Sequence, residues 1–128
     1  MGSKDNERQP HALVVEDESV VRHLICSVLN MAGYRCTEAA DGEEALDILS
    51  RAGDDMPTIG LLDLSMPKMD GVDLAGAIKS NYPGIPLVAV TGTARTFDLE
   101  DLLGAGFDAV LAKPFDNKHL LEICGELS

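Results

Sequence analysis

The stretch Ala12-Leu13-Val14-Val15-Glu16-Asp17 decides the fold. A short β-branched apolar run stops abruptly at two acids. Residues 19–31 follow, with apolar side chains at Val20, Val21, Leu24, Ile25, Val28 and Leu29, a helical stripe that Gly33 ends. A buried strand, an acidic turn and an amphipathic helix together form the first part of a βαβ unit. The pattern recurs downstream. Ile59-Gly60-Leu61-Leu62 runs into Asp63, Pro86-Leu87-Val88-Ala89-Val90 into Thr91, and Asp108-Ala109-Val110-Leu111-Ala112 into Lys113. Ligands of an open parallel α/β sheet bind just outside the carboxyl ends of its strands, so these polar residues converge if the runs are neighbouring parallel strands.

The segments between them complete the alternation. Residues 34–39 read as a second strand. Asp41 begins a second helix, with Glu44 at capping-box spacing and Ala45, Leu46 and Leu49 on the apolar side. The third strand covers 58–63. Asp70 caps a third helix to about Asn81, with Asp73 three residues on, and Pro83-Gly84 ends it. The fourth strand covers 85–91, a shorter helix 96–104 and the fifth strand 108–112. Asp116 caps a last helix that turns Leu120, Leu121, Ile123, Cys124 and Leu127 inward. The expectation is an α/β fold with a five-stranded parallel sheet, flavodoxin-like order 2-1-3-4-5, and helices on both faces. That order seats Glu16 and Asp17 beside Asp63 at the switch point. Residues 1–10 are polar and aperiodic and read as a disordered tail; residues 11–128 read as one domain.

Composition narrows the function. A chain of 128 residues, 45% of them hydrophobic, buries a proper core, built from aliphatic side chains because Trp is absent. The net charge of −12 repels phosphate backbones and anionic lipids, so neither nucleic acid nor membrane is an expected partner. No apolar run approaches the about 20 residues of a membrane span, and no signal peptide is visible. Cys26, Cys36 and Cys124 lack finger spacing, which argues against structural zinc, and their odd number fits a reducing cytoplasm. His23 and Cys26 share a helix face, read as a surface histidine and a half-buried thiol.

Three clustered carboxylates raise one another's pKa unless a cation joins them. Mg²⁺ takes oxygen ligands, commonly one or two carboxylates plus phosphate oxygens. A carboxylate can attack phosphorus to form an acyl phosphate, which makes Asp63 the candidate nucleophile. Lys113 is placed to neutralise phosphoryl oxygens, and Thr91 to donate a hydrogen bond to one. Positioning and charge stabilisation carry most of phosphoryl transfer, so this small set suffices. Each residue alone would be read as a cap, a turn residue or a solvated charge, and Glu18 keeps that reading. Their joint placement at strand ends favours the functional one.

At these residues the chain resembles the receiver domain of two-component response regulators. Val14-Val15-Glu16-Asp17-Glu18 resembles its acidic segment, and Leu62-Asp63-Leu64-Ser65-Met66-Pro67-Lys68-Met69-Asp70-Gly71 its phosphoacceptor segment, the most specific of the motifs. Val90-Thr91-Gly92 and Lys113-Pro114-Phe115 resemble its Thr/Ser and Lys-Pro segments; the likeness covers about residues 11–127. It implies that Asp63 accepts a phosphoryl group from a sensor histidine kinase or a histidine phosphotransfer protein. It implies that Asp17, Asp63 and the Ser65 carbonyl ligate Mg²⁺, with Glu16 acting through a metal-bound water. It implies that Thr91 moves toward the phosphoryl group and reshapes the surface of the fourth helix, fifth strand and fifth helix, which also serves many relatives as a homodimer face. The Lys113-Pro114 bond is typically cis in the family, and Ser65 and Thr93 stand where it tunes phosphoryl lifetime. Such a domain is no enzyme beyond catalysing its own phosphorylation and dephosphorylation. One departure stands out: the family often carries Tyr or Phe two residues before the Lys, and here that residue is Leu111. The signal would then pass through backbone movement of the loop after Thr91.

Rival readings fare less well. An Asp-dependent phosphatase of the haloacid dehalogenase type needs a second acid two residues after its nucleophile, where Ser65 stands. A flavodoxin relative needs a phosphate-cradling first loop, where Glu16-Asp17-Glu18 would repel FMN. A degenerate receiver-like interaction module not regulated by phosphorylation remains the alternative. His11, His23 and His119 sit in no phosphoryl-carrying motif and read as solvated or capping residues. No output domain follows Ser128, which fits a stand-alone receiver or a piece of a hybrid kinase or longer regulator.

Overall fold

The structure, a computed structural model, describes residues 9–64, 71–92 and 99–127. The tail to residue 8, Ser65, the Asp70 cap, Thr93 and the expected start of the fourth helix at 96 lie outside them. Strands and helices alternate as β1 (His11–Val15), α1 (Ser19–Met31), β2 (Arg35–Ala39), α2 (Gly42–Arg51), β3 (Ile59–Asp63), α3 (Gly71–Asn81), β4 (Leu87–Thr91), α4 (Leu99–Ala105), β5 (Ala109–Ala112) and α5 (Asn117–Leu127). All strand pairs are parallel, in the order β2-β1-β3-β4-β5. This is the expected doubly wound sheet. Among the described residues no helix is long and apolar enough to cross a membrane.

Side chains alternate across a strand, so each strand feeds two cores. Leu13, Val15, Leu62, Leu87 and Ala89 pack beneath α2, α3 and α4, against Ala45, Leu49, Leu74, Ile78 and Leu102. Ala12, Val14, Ile59, Leu61, Val88, Val90 and Leu111 pack beneath α1 and α5, against Ile25, Leu29, Leu120, Ile123 and Cys124. β1, β3 and β4 are buried along their whole length, which is why Ala12–Val15, Ile59–Leu62 and Leu87–Val90 are continuous apolar runs instead of alternating ones.

Local details refine the expected boundaries. β1 begins at His11 rather than Ala12, so His11 is buried instead of solvated or capping. Its Nε2 lies 2.7 Å from Thr37 Oγ1, and burial, then the Arg35 charge, holds its pKa below the usual histidine value. The long-range pairing of β1 with β2 and β3 overrides a polar side chain that carries no strand signal of its own. Cys26 is buried rather than half-buried, because it points at the sheet from α1. β5 starts after Asp108, whose carboxylate accepts from Leu87 N at 2.9 Å while its N–H donates to Leu87 O at 2.7 Å. Asp41 caps α2 as expected, accepting from Glu44 N at 2.8 Å. The Glu44 carboxylate in turn accepts from Ala40 N at 2.6 Å, one residue before the capping-box position. Asp116 accepts from His119 N at 2.8 Å and caps α5.

Candidate functional site

Register builds the site. Val15 is level with Leu62, so the residue after each, Glu16 and Asp63, stand side by side at the carboxyl edge. Asp63 is level with Val90 and Thr91 with Ala112, which sets Thr91 and Lys113 at the rim of the next two strands. Parity then divides them. Glu16, Asp63 and Lys113 continue the alternation that faces α1 and α5; Thr91 continues the one that faces α2, α3 and α4.

The expected carboxylates meet. Glu16, Asp17 and Asp63 each offer an oxygen within 4.8 Å of the others, with Glu16 and Asp63 buried and Asp17 exposed. Lys113 Nζ lies 3.2 Å from Glu16 Oε1 and 3.8 Å from Asp63 Oδ1. Glu16 is pushed up to about 7 by burial and then by the Asp63 charge, against a smaller opposing pull from the Glu18 N–H and Lys113. A buried acid held partly protonated by a neighbouring acid, with an exposed third carboxylate at the mouth, is a donor set short of positive charge. A hard divalent cation such as Mg²⁺ fits it. Thr91 is buried and its carbonyl accepts from Lys113 N at 2.8 Å, tying the hydroxyl-bearing strand end to the lysine. The Lys113-Pro114 bond is cis, as the family likeness implied. Ser65, expected to offer a carbonyl ligand, lies outside the described residues.

Supporting residues hold this arrangement. Arg22 Nη1 donates to the Glu16 carbonyl at 2.7 Å and its Nε to Glu38 at 2.9 Å, bracing the acidic turn from α1. Glu18 occupies the cap position of α1 without a side-chain cap bond; its N–H instead donates to Glu16 Oε2 at 3.2 Å. Gly71 opens α3 so close to the end of β3 that a Cβ there would sit 2.5 Å from the Asp63 carbonyl oxygen and 2.9 Å from Leu64 Cα. Arg22 was invisible as a site residue in the sequence, where it is one charge on an amphipathic helix. Gly71 was signalled only as the end of the phosphoacceptor motif. Leu111, at the position where the family likeness led to an aromatic ring being expected, is 0% exposed and part of the core under α1 and α5.

Beside the acids, an apolar groove runs between α1 and the start of α5, lined by Val21, Leu24, Lys113, Pro114, Phe115 and Asn117. It continues along Val28, Met31 and Leu121. Val20, Leu24 and Met31 are exposed on its α1 side, which leaves an apolar strip on an otherwise charged surface.

Comparison with known proteins agrees with this geometry. The family model described as the response regulator receiver domain matches residues 12–124. The chain is 34% identical over 116 residues to a probable transcriptional regulator, ycf27, of Guillardia theta, covering 91% of this chain and 44% of that protein. It is 38% identical over 102 residues to the sensor histidine kinase RcsC of Salmonella typhimurium strain LT2, covering 80% of this chain and 10% of that one. The chain therefore spans less than half the length of either relative. Among solved structures, the response regulator TrrA of Thermotoga maritima in complex with Mg²⁺-BeF superposes with a TM-score of 0.81 at 28% identity, covering 93% of this chain and 99% of that one. With the family model matched over residues 12–124, nearly the whole chain, the chain belongs to the response regulator receiver domain family of two-component signalling.

Proposed function

We propose that this receiver domain accepts a phosphoryl group on Asp63 from a sensor histidine kinase or histidine phosphotransfer protein, and switches partner binding through the surface of α4, β5 and α5. The observation that carries the reading is the convergence of Glu16, Asp17 and Asp63 within 4.8 Å, with Lys113 spanning the two buried acids. An Asp63 oxygen attacks phosphorus as the P–N bond of the donor phosphohistidine breaks, and the electron pair leaves on the imidazole nitrogen. Asp17 and Asp63 would hold Mg²⁺, with Glu16 beside it. When bound, the ion neutralises charge on the phosphoryl oxygens. Lys113 exchanges its carboxylate contacts for a phosphoryl oxygen, and Thr91 donates its hydroxyl to another. The domain is no enzyme in the turnover sense; it catalyses at most its own phosphorylation and dephosphorylation.

Two surfaces flank the chemistry. The groove between α1 and α5 adjoins Lys113 on the face that Asp63 continues, so it suits the histidine-bearing helix of the donor. On the other side, Thr91 precedes α4 in the chain; α4 presents an exposed Leu103, and β5 is an edge strand. That face suits an output partner or a second copy of the chain. With Leu111 in the core, the change at Thr91 reaches it without an aromatic side chain at that position. Three free thiols fit a cytoplasmic setting.

The test is intact-mass analysis after incubation with acetyl phosphate, with and without Mg²⁺, on the chain and on Asp63→Asn. A single phosphoryl adduct that needs both Mg²⁺ and Asp63 is expected. No adduct under any condition would instead identify a degenerate receiver acting through constitutive contacts.

A further inference from the structure

We propose that Cys26 and Cys36 are a modification site: an oxidisable pair that closes to a disulfide when a peroxide reaches Cys36. Cys26 lies on the sheet-facing side of α1, buried in the core shared with α5. Cys36 lies on β2, an edge strand, and is only partly buried against that same core. Cys36 Sγ donates to the Cys26 carbonyl oxygen at 3.8 Å, so the strand thiol sits against the backbone of the residue that carries the second sulfur. Both are free. A helix and an edge strand thus bring two cysteines ten positions apart along the chain into contact, one sheltered and one partly exposed.

Their environments divide the labour. The neighbouring Cys26 thiol lowers the Cys36 pKa, while that neighbour and burial raise Cys26. Cys36 is therefore the nucleophile toward peroxide. Its thiolate attacks one peroxide oxygen, the O–O bond breaks, and hydroxide leaves, giving the Cys36 sulfenic acid. Cys26 sulfur then attacks Cys36 sulfur. The S–O bond breaks, the Cys26 proton leaves with the oxygen as water, and an S–S bond remains. Two thiols and one hydrogen peroxide become one disulfide and two waters. Cys124 serves as an internal control: it is buried on α5, where desolvation pushes its thiol up to about 12.

The site is independent of Asp63, and its test does not involve phosphorylation. The folded chain is treated with a modest excess of hydrogen peroxide, quenched and alkylated, then measured by intact mass and by peptide mapping without reductant. The expected product has lost about 2 Da, joins the peptides of Cys26 and Cys36, and leaves Cys124 alkylated. Cys26→Ser should instead let Cys36 climb toward the sulfinic acid, a gain of about 32 Da. Cys36→Ser should slow oxidation of Cys26 by roughly tenfold or more, because the remaining thiol is protonated and buried. Three alkylated cysteines after treatment, a bridge to Cys124, or linkage only between two chains would overturn the proposal.

Discussion

Lys113 Nζ is placed between two buried carboxylates, 3.2 Å from Glu16 and 3.8 Å from Asp63. The lysine therefore holds, in the resting chain, part of the positive charge the acids require. Replacing it with a neutral side chain separates two roles. Lys113→Gln should bind Mg²⁺ roughly 2- to 10-fold more tightly, since a competing cation is gone. It should take up phosphoryl groups about 100-fold more slowly, since a phosphoryl oxygen loses its partner. Calorimetric Mg²⁺ titration and phosphorylation rates measure the two; weaker Mg²⁺ binding would contradict the arrangement.

The raised pKa of Glu16 predicts an unusual pH profile. The unfolded chain releases this proton near 4.5, the folded chain near about 7. Between those values the folded state binds more protons, so the Mg²⁺-free protein should lose stability as pH rises through that window. The loss is at most about 3 kcal/mol and smaller with residual solvation. Saturating Mg²⁺ and, separately, Glu16→Gln should flatten the curve. Urea denaturation at several pH values decides it, and a profile that rises from pH 5 to 7.5 without Mg²⁺ would count against the coupling of Glu16 and Asp63.

Gly71 is predicted to be intolerant of even one methyl group. Its α3 backbone sits against Asp63 and Leu64, so a Cβ meets main-chain atoms that cannot rotate aside. Gly71→Ala should cost about 1–3 kcal/mol of stability and slow phosphoryl uptake together, by moving the Asp63 backbone. Normal denaturation midpoint and uptake would show that this approach is looser than described.

The apolar strip on α1 predicts a variant that separates donor docking from chemistry. Leu24 is already 59% exposed, so Leu24→Glu should change stability by no more than about 0.5 kcal/mol. Transfer from a protein phosphohistidine donor should fall at least about 10-fold, with uptake from acetyl phosphate unchanged. Equal loss with both donors would relocate the defect to the site itself.

Much of this was legible in the sequence because the fold announces itself by rhythm. The apolar runs of β1, β3, β4 and β5 each give way to a polar residue, and that punctuation placed Glu16, Asp63, Thr91 and Lys113 at one edge. What the sequence hid depends on pairing between distant segments. His11 is buried only because β1 is covered by both its neighbours, and Cys26 meets Cys36 only because α1 lies along β2. Arg22 braces the Glu16 turn through a carbonyl, a partner no side-chain pattern reveals. The parity that sends Thr91 to one face and the acids to the other follows from register, which single strands do not specify.

That parity makes the sheet a partition wall with a fixture bolted through its rim. Glu16, Asp63 and Lys113 open toward the room roofed by α1 and α5, Thr91 toward the one roofed by α2, α3 and α4. One extra residue in β4 ahead of Thr91 would swing that hydroxyl into the other room, because strand side chains alternate strictly. The two helical layers can therefore diverge in sequence independently, each repacking its own side, so long as strand lengths at the rim keep their count.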